Sequence, residues 1–253
     1  MFEWIDTNPA PEVQEAEYSR LLGYPKNHTL DGRARELADA ARAWYAENGR
    51  PWIYAREINA VELGNGALSL ERQQFASRRL HDFFASASAH AAVVVAVSAG
   101  IECEESACQL WRVSKPDEYF FLEMFGSAVV EQLIALASGR ICAWGDQRQM
   151  AVLPPFSPGH SGWNVADQTK LWRVIREGCA GGFPGELTVL DTGMLRPKKS
   201  QLALFGVTQE VEKARRFARL IPCENCSLPA CQYRRAPAQA GEIRRQMGGG
   251  IAK

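Results

Sequence analysis

The stretch Ala91-Ala92-Val93-Val94-Val95-Ala96-Val97, running into Ser98-Ala99-Gly100, decides the fold class. An unbroken run of small apolar residues, without polar alternation, predicts a strand buried on both faces. It is too short to cross a bilayer, which takes about 20 residues in a helix. A strand of this kind needs a covering layer on each side, and its neighbours in the chain supply candidates. Downstream, Pro116-Asp117-Glu118-Tyr119 opens a helix over 116–138, ended by Gly139. Its apolar positions Phe120, Phe121, Met124, Phe125, Val129, Leu133 and Leu136 recur at helical spacing. Glu131 stands alone in that helix and faces either solvent or a site. Upstream, 51–58 is rich in aromatic and β-branched residues and predicts a strand.

Further outward, 12–22 has helical composition and ends at Gly23, a C-cap residue. Asp31 is placed to cap a helix over 32–47, stopped by Asn48-Gly49. Gly64-Asn65-Gly66 marks a turn, with Leu68 in a short strand after it, and 69–84 predicts an amphipathic helix. Residues 1–14, with Asn8-Pro9-Ala10-Pro11, read as an N-terminal arm. Residues 101–110, with Cys103 and Cys108, read as a connection, and 151–163 as a loop. A helix begins at Asn164 or Asp167 and runs through Arg176. The glycine-rich 178–185 is a turn rather than a phosphate loop, because no Lys-Ser/Thr follows it. Strands are expected at 187–190 and 201–207, with Thr192-Gly193 and Arg196-Pro197 in the connection. Thr208 is placed to cap a last helix over 209–220. Long helices mixed with strands in no βαβ alternation give an α+β fold, a mixed or antiparallel sheet with long helices. The core domain spans 15–220. A tail over 221–253 carries a cysteine cluster and a glycine-rich end that reads as disordered.

The chain of 253 residues balances 29 basic against 29 acidic residues, so charge offers no argument for nucleic acid or a membrane as partner. The acidic opening Met1-Phe2-Glu3-Trp4-Ile5-Asp6 lacks the basic segment of a signal peptide, and a cytoplasmic location is expected. The cysteines number seven, an odd count that suits no complete disulfide framework. Cys223, Cys226 and Cys231 fall within nine residues, in a Cys-x2-Cys-x4-Cys pattern. That spacing suits a metal, either an iron–sulfur cluster or zinc. Cys103, Cys108, Cys142 or Cys179 is available as a fourth ligand after folding. The four histidines, His28, His81, His90 and His160, are scattered singly, so no hydrolytic metal centre is visible.

Two segments carry a resemblance. Phe156-Ser157-Pro158-Gly159-His160-Ser161-Gly162-Trp163, with Gln168 and Lys170-Leu171-Trp172, resembles a signature of the activation (reactivation) domain of cobalamin-dependent methionine synthase and its stand-alone relatives. Leu190-Asp191-Thr192-Gly193-Met194-Leu195-Arg196-Pro197-Lys198-Lys199-Ser200 resembles a second signature of that family. Weaker matches are Leu21-Leu22-Gly23-Tyr24, Ser98-Ala99-Gly100 and 126–131. The tail, with Tyr233-Arg234-Arg235, is similar to that of several stand-alone members. The resemblance implies a domain that binds S-adenosylmethionine beside a corrinoid held by a partner protein. Pro158, Gly159 and His160 are then expected to face ligand and corrin. Glu131, Asp191 and Arg196 complete the cofactor-binding set. Three positions depart from the family pattern: Pro155 stands in place of an Arg, His160 of a Tyr, and Asp191 of a Glu. The first removes a guanidinium expected on the ligand carboxylate, for which Arg148 or Arg196 is a candidate replacement. His160 reads either as a structural loop residue or as one that faces the corrin, donates a proton or ligates cobalt.

The resemblance thus implies an accessory protein for reductive reactivation of a corrinoid methyltransferase. S-adenosylmethionine supplies the methyl group, the tail's iron–sulfur cluster is a possible electron relay, and ferredoxin or flavodoxin a possible donor. Its alternative is a non-catalytic module that docks on a corrinoid protein, with a degenerate S-adenosylmethionine site and a structural metal in the tail. The sequence leaves open whether the chain is an enzyme by itself, since any methyl transfer would end on a partner's cobalamin.

Overall fold

A computed structural model describes residues 2–25, 28–179 and 181–217. The elements in order are β1 (Glu3–Asp6), α1 (Glu15–Leu21), α2 (Gly32–Asn48), β2 (Trp52–Ile58), β3 (Val61–Gly64), β4 (Ala67–Leu70) and β5 (Gln73–Phe75). There follow α3 (Arg78–Ser86), β6 (Ala91–Ser98), α4 (Ile101–Arg112), α5 (Pro116–Asp146) and β7 (Ala151–Val152). The last are α6 (Gln168–Glu177), preceded by a 3-10 turn (Val165–Asp167), β8 (Thr188–Val189), β9 (Leu195–Arg196), β10 (Ser200–Thr208) and α7 (Val211–Arg215).

The main sheet has the order β1-β2-β6-β10-β7, antiparallel throughout, with β6 at its centre. Every residue of β6 is buried. Alternate residues divide between two cores, as a period of two requires. Val93, Val95 and Val97, with Ile53, Ala55, Ala203 and Phe205, meet α1, α2, α4 and α5. Ala92, Val94 and Ala96, with Trp52, Tyr54, Leu202 and Leu204, meet α3, α6 and the small β3-β4-β5 sheet. Each buried valine contributes about 1.5–3 kcal/mol on leaving water. By length and composition α5 is apolar enough to cross a membrane, but it is a core helix here, 61% buried over its most apolar window.

Local chemistry explains several boundaries. Gly23, at φ 88°, ends α1 with paired bonds, Gly23 N to Arg20 O and Tyr24 N to Ser19 O, each 3.0 Å. That pattern is a Schellman cap. Asn65 and Gly66 both take positive φ in the two-residue turn between β3 and β4, as a type I′ hairpin requires.

Five expectations are corrected. The helix expected over 69–84 is two strands and a shorter helix. Leu68 and Leu70 lie in β4, Phe75 pairs with Leu68, and Ser77 caps α3 by accepting from Leu80 N at 3.1 Å. The connection expected over 101–110 is helix α4, entered at Gly100 with Glu102 and Glu104 in its first turn. Helix α5 runs past Gly139, because Ile141 and Trp144 continue its buried face; a mid-helix glycine costs only about 1 kcal/mol. Arg196, expected in the connection between two strands, lies in β9, which pairs with β8 in a hairpin. The arm read as extended carries β1, an edge strand of the main sheet. Thr208 Oγ1 accepts from Glu210 N at 3.0 Å ahead of α7; 218–220 of the expected helix, and Cys223, Cys226 and Cys231, lie outside the described residues.

Candidate functional site

The turn over 157–163 starts where Phe156 pairs with Leu204 on β10. Gly159 and Gly162 take φ of 94° and 82°, a region that residues with a Cβ rarely enter. Three backbone bonds close the turn: His160 N to Ser157 O, 3.0 Å; Trp163 N to His160 O, 2.9 Å; and Gly159 N to Trp163 O, 2.9 Å. Ser77 Oγ donates to Gly162 O at 2.6 Å, fixing the turn on the start of α3. Gln201 Nε2 donates to Ser157 Oγ at 3.0 Å, fixing it on β10. Beneath it Trp163 stacks on Phe156 and donates Nε1–H to the buried Asp167 at 3.1 Å. Of the expected site residues here, Pro158 is buried, Gly159 exposed and His160 half-buried.

His160 has a defined electrostatic setting. Its ring lies edge-on to Phe156, and Ser157 N–H donates to its Nδ1 at 3.3 Å. A backbone N–H can only donate, so in the neutral ring the proton sits on Nε2. Burial, and secondarily the charge of Arg79, hold its pKa below the usual histidine value.

The second signature meets this turn at its hairpin tip. Leu190 N bonds Met194 O and Gly193 N bonds Leu190 O, both at 2.8 Å. A Cβ on Gly193 would stand 3.0 Å from Val165 O, and one on Gly159 would stand 3.8 Å from Val165 Cγ2. Both signatures therefore close on Val165. Asp191 is exposed at the hairpin tip and Arg196 is exposed on β9. Val165, Leu190 and Met194 form an apolar rim, exposed at 43%, 44% and 57%.

The other end of the second signature turns inward and is part-buried. Lys198 and Lys199 bracket the buried Glu123 of α5, at 2.7 and 3.0 Å. Lys199 Nζ also donates to Ser127 Oγ at 2.9 Å. Burial works against the Lys198 ammonium, and the Glu123 hydrogen bond and charge outweigh it, so its pKa lies above the ordinary lysine value. Ser200 Oγ donates to Ser98 Oγ at 2.9 Å, and Lys198 N to Glu104 Oε2 at 2.6 Å. Gly126 is needed where it stands: a Cβ there would come 2.7 Å from Cys103 Sγ. Burial pushes the Cys103 thiol up to about 12, so it stays protonated and is a poor metal ligand. Among the described residues no group of three His, Cys, Asp or Glu side chains is placed to hold a metal ion.

Sequence reasoning passes over Glu123 and Arg79. A carboxylate between Leu122 and Met124 in an apolar helix was a signal, because a buried charge needs partners. Glu131 follows Ser127 by one turn on the same helix. Arg79 gave no signal, being hidden in the expected 69–84 helix. Of the arginines considered as carboxylate partners, Arg148 stacks on Trp144 at 5.1 Å, in the opposite core.

No family model matches the chain, and no curated protein matches it. Among solved structures, the MetH reactivation domain bound to AdoHcy superposes with a TM-score of 0.62, covering 84% of this chain and 79% of that one at 10% sequence identity. At that identity the likeness concerns the course of the backbone. The chain has the α+β fold of the MetH reactivation domain.

Proposed function

We propose that this chain is an accessory protein for reductive reactivation of a corrinoid methyltransferase. The observation that carries this is the meeting of the Gly159–His160 turn and the Asp191 hairpin over Val165, on a fold shared with a domain solved with AdoHcy. Gly159 is exposed and a Cβ there would meet only Val165, so its backbone can be approached closely by a flat ligand. Asp191, exposed at the hairpin tip, would offer its carboxylate to an amine or a ribose hydroxyl, and Arg196 follows on the same hairpin. Pro158 is buried in the turn, and Glu131 of α5 is the remaining residue that this reading assigns to the ligand. The apolar rim of Val165, Leu190 and Met194 suits the face of a partner's corrinoid.

When bound, S-adenosylmethionine would supply the methyl group, and the partner's corrinoid the cobalt that accepts it after one-electron reduction. The chain's own task is to hold the sulfonium in line and to exclude water. Cys223, Cys226 and Cys231 would hold either an iron–sulfur cluster, able to supply an electron-transfer centre for a ferredoxin or flavodoxin donor, or a structural zinc. The reading places the chain in the cytoplasm.

Calorimetry with S-adenosylmethionine tests the proposal. Saturable binding at one site per chain supports it. No binding up to millimolar concentration, with a corrinoid protein still captured, favours the docking module with a degenerate site. Pro155 and the shortened Asp191 are the features that lean toward this second reading.

A further inference from the structure

Arg79 lies in the first turn of α3, half-buried, with its guanidinium 5.7 Å from the centroid of the Phe156 ring. Its aliphatic stem packs on Gly162, where an added Cβ would come 2.8 Å from Arg79 Cδ. Among the described residues no carboxylate or carbonyl is bonded to the guanidinium, whereas Arg20, Arg35, Arg42 and Arg56 each hold a carboxylate. The N–H donors of that guanidinium are therefore available to a ligand. His160 packs on the same Phe156 ring and lies close enough to Arg79 for that charge to oppose its protonation. Its Nδ1 is occupied by Ser157 N–H, which leaves Nε2–H as its outward donor. The turn that carries His160 is locked to α3 by Ser77, so the two groups are held in one rigid unit.

We propose that Arg79 and His160, which both pack on the Phe156 ring, form a carboxylate subsite of guanidinium and imidazole N–H donors that takes the amino-acid end of an S-adenosyl ligand. The subsite supplies from α3 the guanidinium that Pro155 does not. It rests on the proposed function for the identity of the ligand. It also assigns His160 as a hydrogen-bond donor rather than a cobalt ligand. A histidine that ligates through Nε2 carries its proton on Nδ1 and donates it to a partner, and here Nδ1 accepts.

The test compares S-adenosylhomocysteine with 5′-methylthioadenosine, which lacks the amino-acid carboxylate, by calorimetry on the wild type, Arg79→Met, Arg79→Lys and His160→Phe. The subsite predicts that Arg79→Met weakens S-adenosylhomocysteine roughly 10- to 100-fold. It leaves 5′-methylthioadenosine unchanged, which also shows that the variant folds. Arg79→Lys recovers part of the loss, and His160→Phe costs about 2- to 10-fold on the carboxylate ligand alone. Equal weakening of both ligands by Arg79→Met, or of neither, overturns the subsite.

If neither nucleoside binds the wild type, the proposed function fails, and a separate readout decides the subsite. Nitrogen-15 histidine spectra should show the Nε2–H tautomer of His160, with a shift on adding methionine that Arg79→Met abolishes. A His160 signal in the Nδ1–H form, or one unmoved by methionine, contradicts it.

Discussion

The two ends of the second signature lie a few residues apart and sit in opposite environments. Lys198, Lys199, Ser200 and Gln201 reach into the protein, to Glu123, Ser127, Ser98 and Ser157. Asp191, Thr192 and Met194 stand in solvent at the hairpin tip. The first signature divides in the same way, with Pro158 and Trp163 buried and Gly159 exposed. Family-like residues thus do two jobs. One set ties β6, β10 and α5 into a fixed frame, and the other is presented by that frame. A signature can therefore persist for reasons of folding, and its presence alone does not identify the groups that meet a ligand.

Breaking the frame should cost most. Glu123→Ala leaves the Lys199 ammonium, 12% exposed, without its carboxylate. Removing one partner of a buried pair costs about 3–5 kcal/mol, and denaturant unfolding should show that loss with the S-adenosyl ligand absent. A loss under 1 kcal/mol would mean that water solvates Lys199 and that no buried frame exists.

Gly162→Ala tests the join between frame and turn. It places a side chain at φ 82°, where a left-handed conformation costs about 1–2 kcal/mol, and presses on Arg79. Both stability and S-adenosylhomocysteine affinity should fall; a loss of stability alone would separate Arg79 from the ligand. Gln201→Ala removes a single side-chain hydrogen bond and should cost about 0.5–1.5 kcal/mol, with amide exchange at 157–163 quickened. Unchanged exchange there would show that Ser77 alone holds the turn.

The smallest effect is a pH dependence. The folded-state pKa of His160 is depressed by burial and by Arg79, so the unfolded chain binds its proton more readily. Its contribution to stability is therefore lost as pH falls from about 6.5 through the lower folded value. His160→Phe should flatten the stability profile in that window. A profile equally steep in wild type and variant would place the titration elsewhere.

The frame was largely legible from the chain. The apolar run at 91–97, the β-branched and aromatic 52–58 and the Asn65-Gly66 turn each follow a strong local rule. Other parts followed weak ones. Helix α4 buries little more than Cys103 and Ala107, so its amphipathic pattern is faint. In 69–84, leucines and phenylalanines fit a helical period by chance, and the Ser77 cap lies inside the run. Of the candidate site, the segments around Gly159 and Asp191 were singled out by resemblance, and the positive φ of Gly159, Gly162 and Gly193 shows why glycine stands at those turns. Arg79 was not legible, because it reaches Phe156 only after α3 folds against the turn. Glu123 gave a signal as a lone carboxylate among apolar neighbours, but its partners did not, since Lys198 and Lys199 lie far along the chain between β9 and β10.

The central claim is that the exposed halves of the two signatures meet the ligand while the buried halves do not. The direct measurement is a map of backbone amide shifts during titration with S-adenosylhomocysteine. The account predicts saturable shifts at Arg79, Gly159, His160, Gly162, Asp191 and Gly193, with Val94 and Ala128 unmoved. Shifts confined to the cleft lined by Arg56, Glu57, Glu62 and Glu71, or no shift at millimolar ligand, would contradict it.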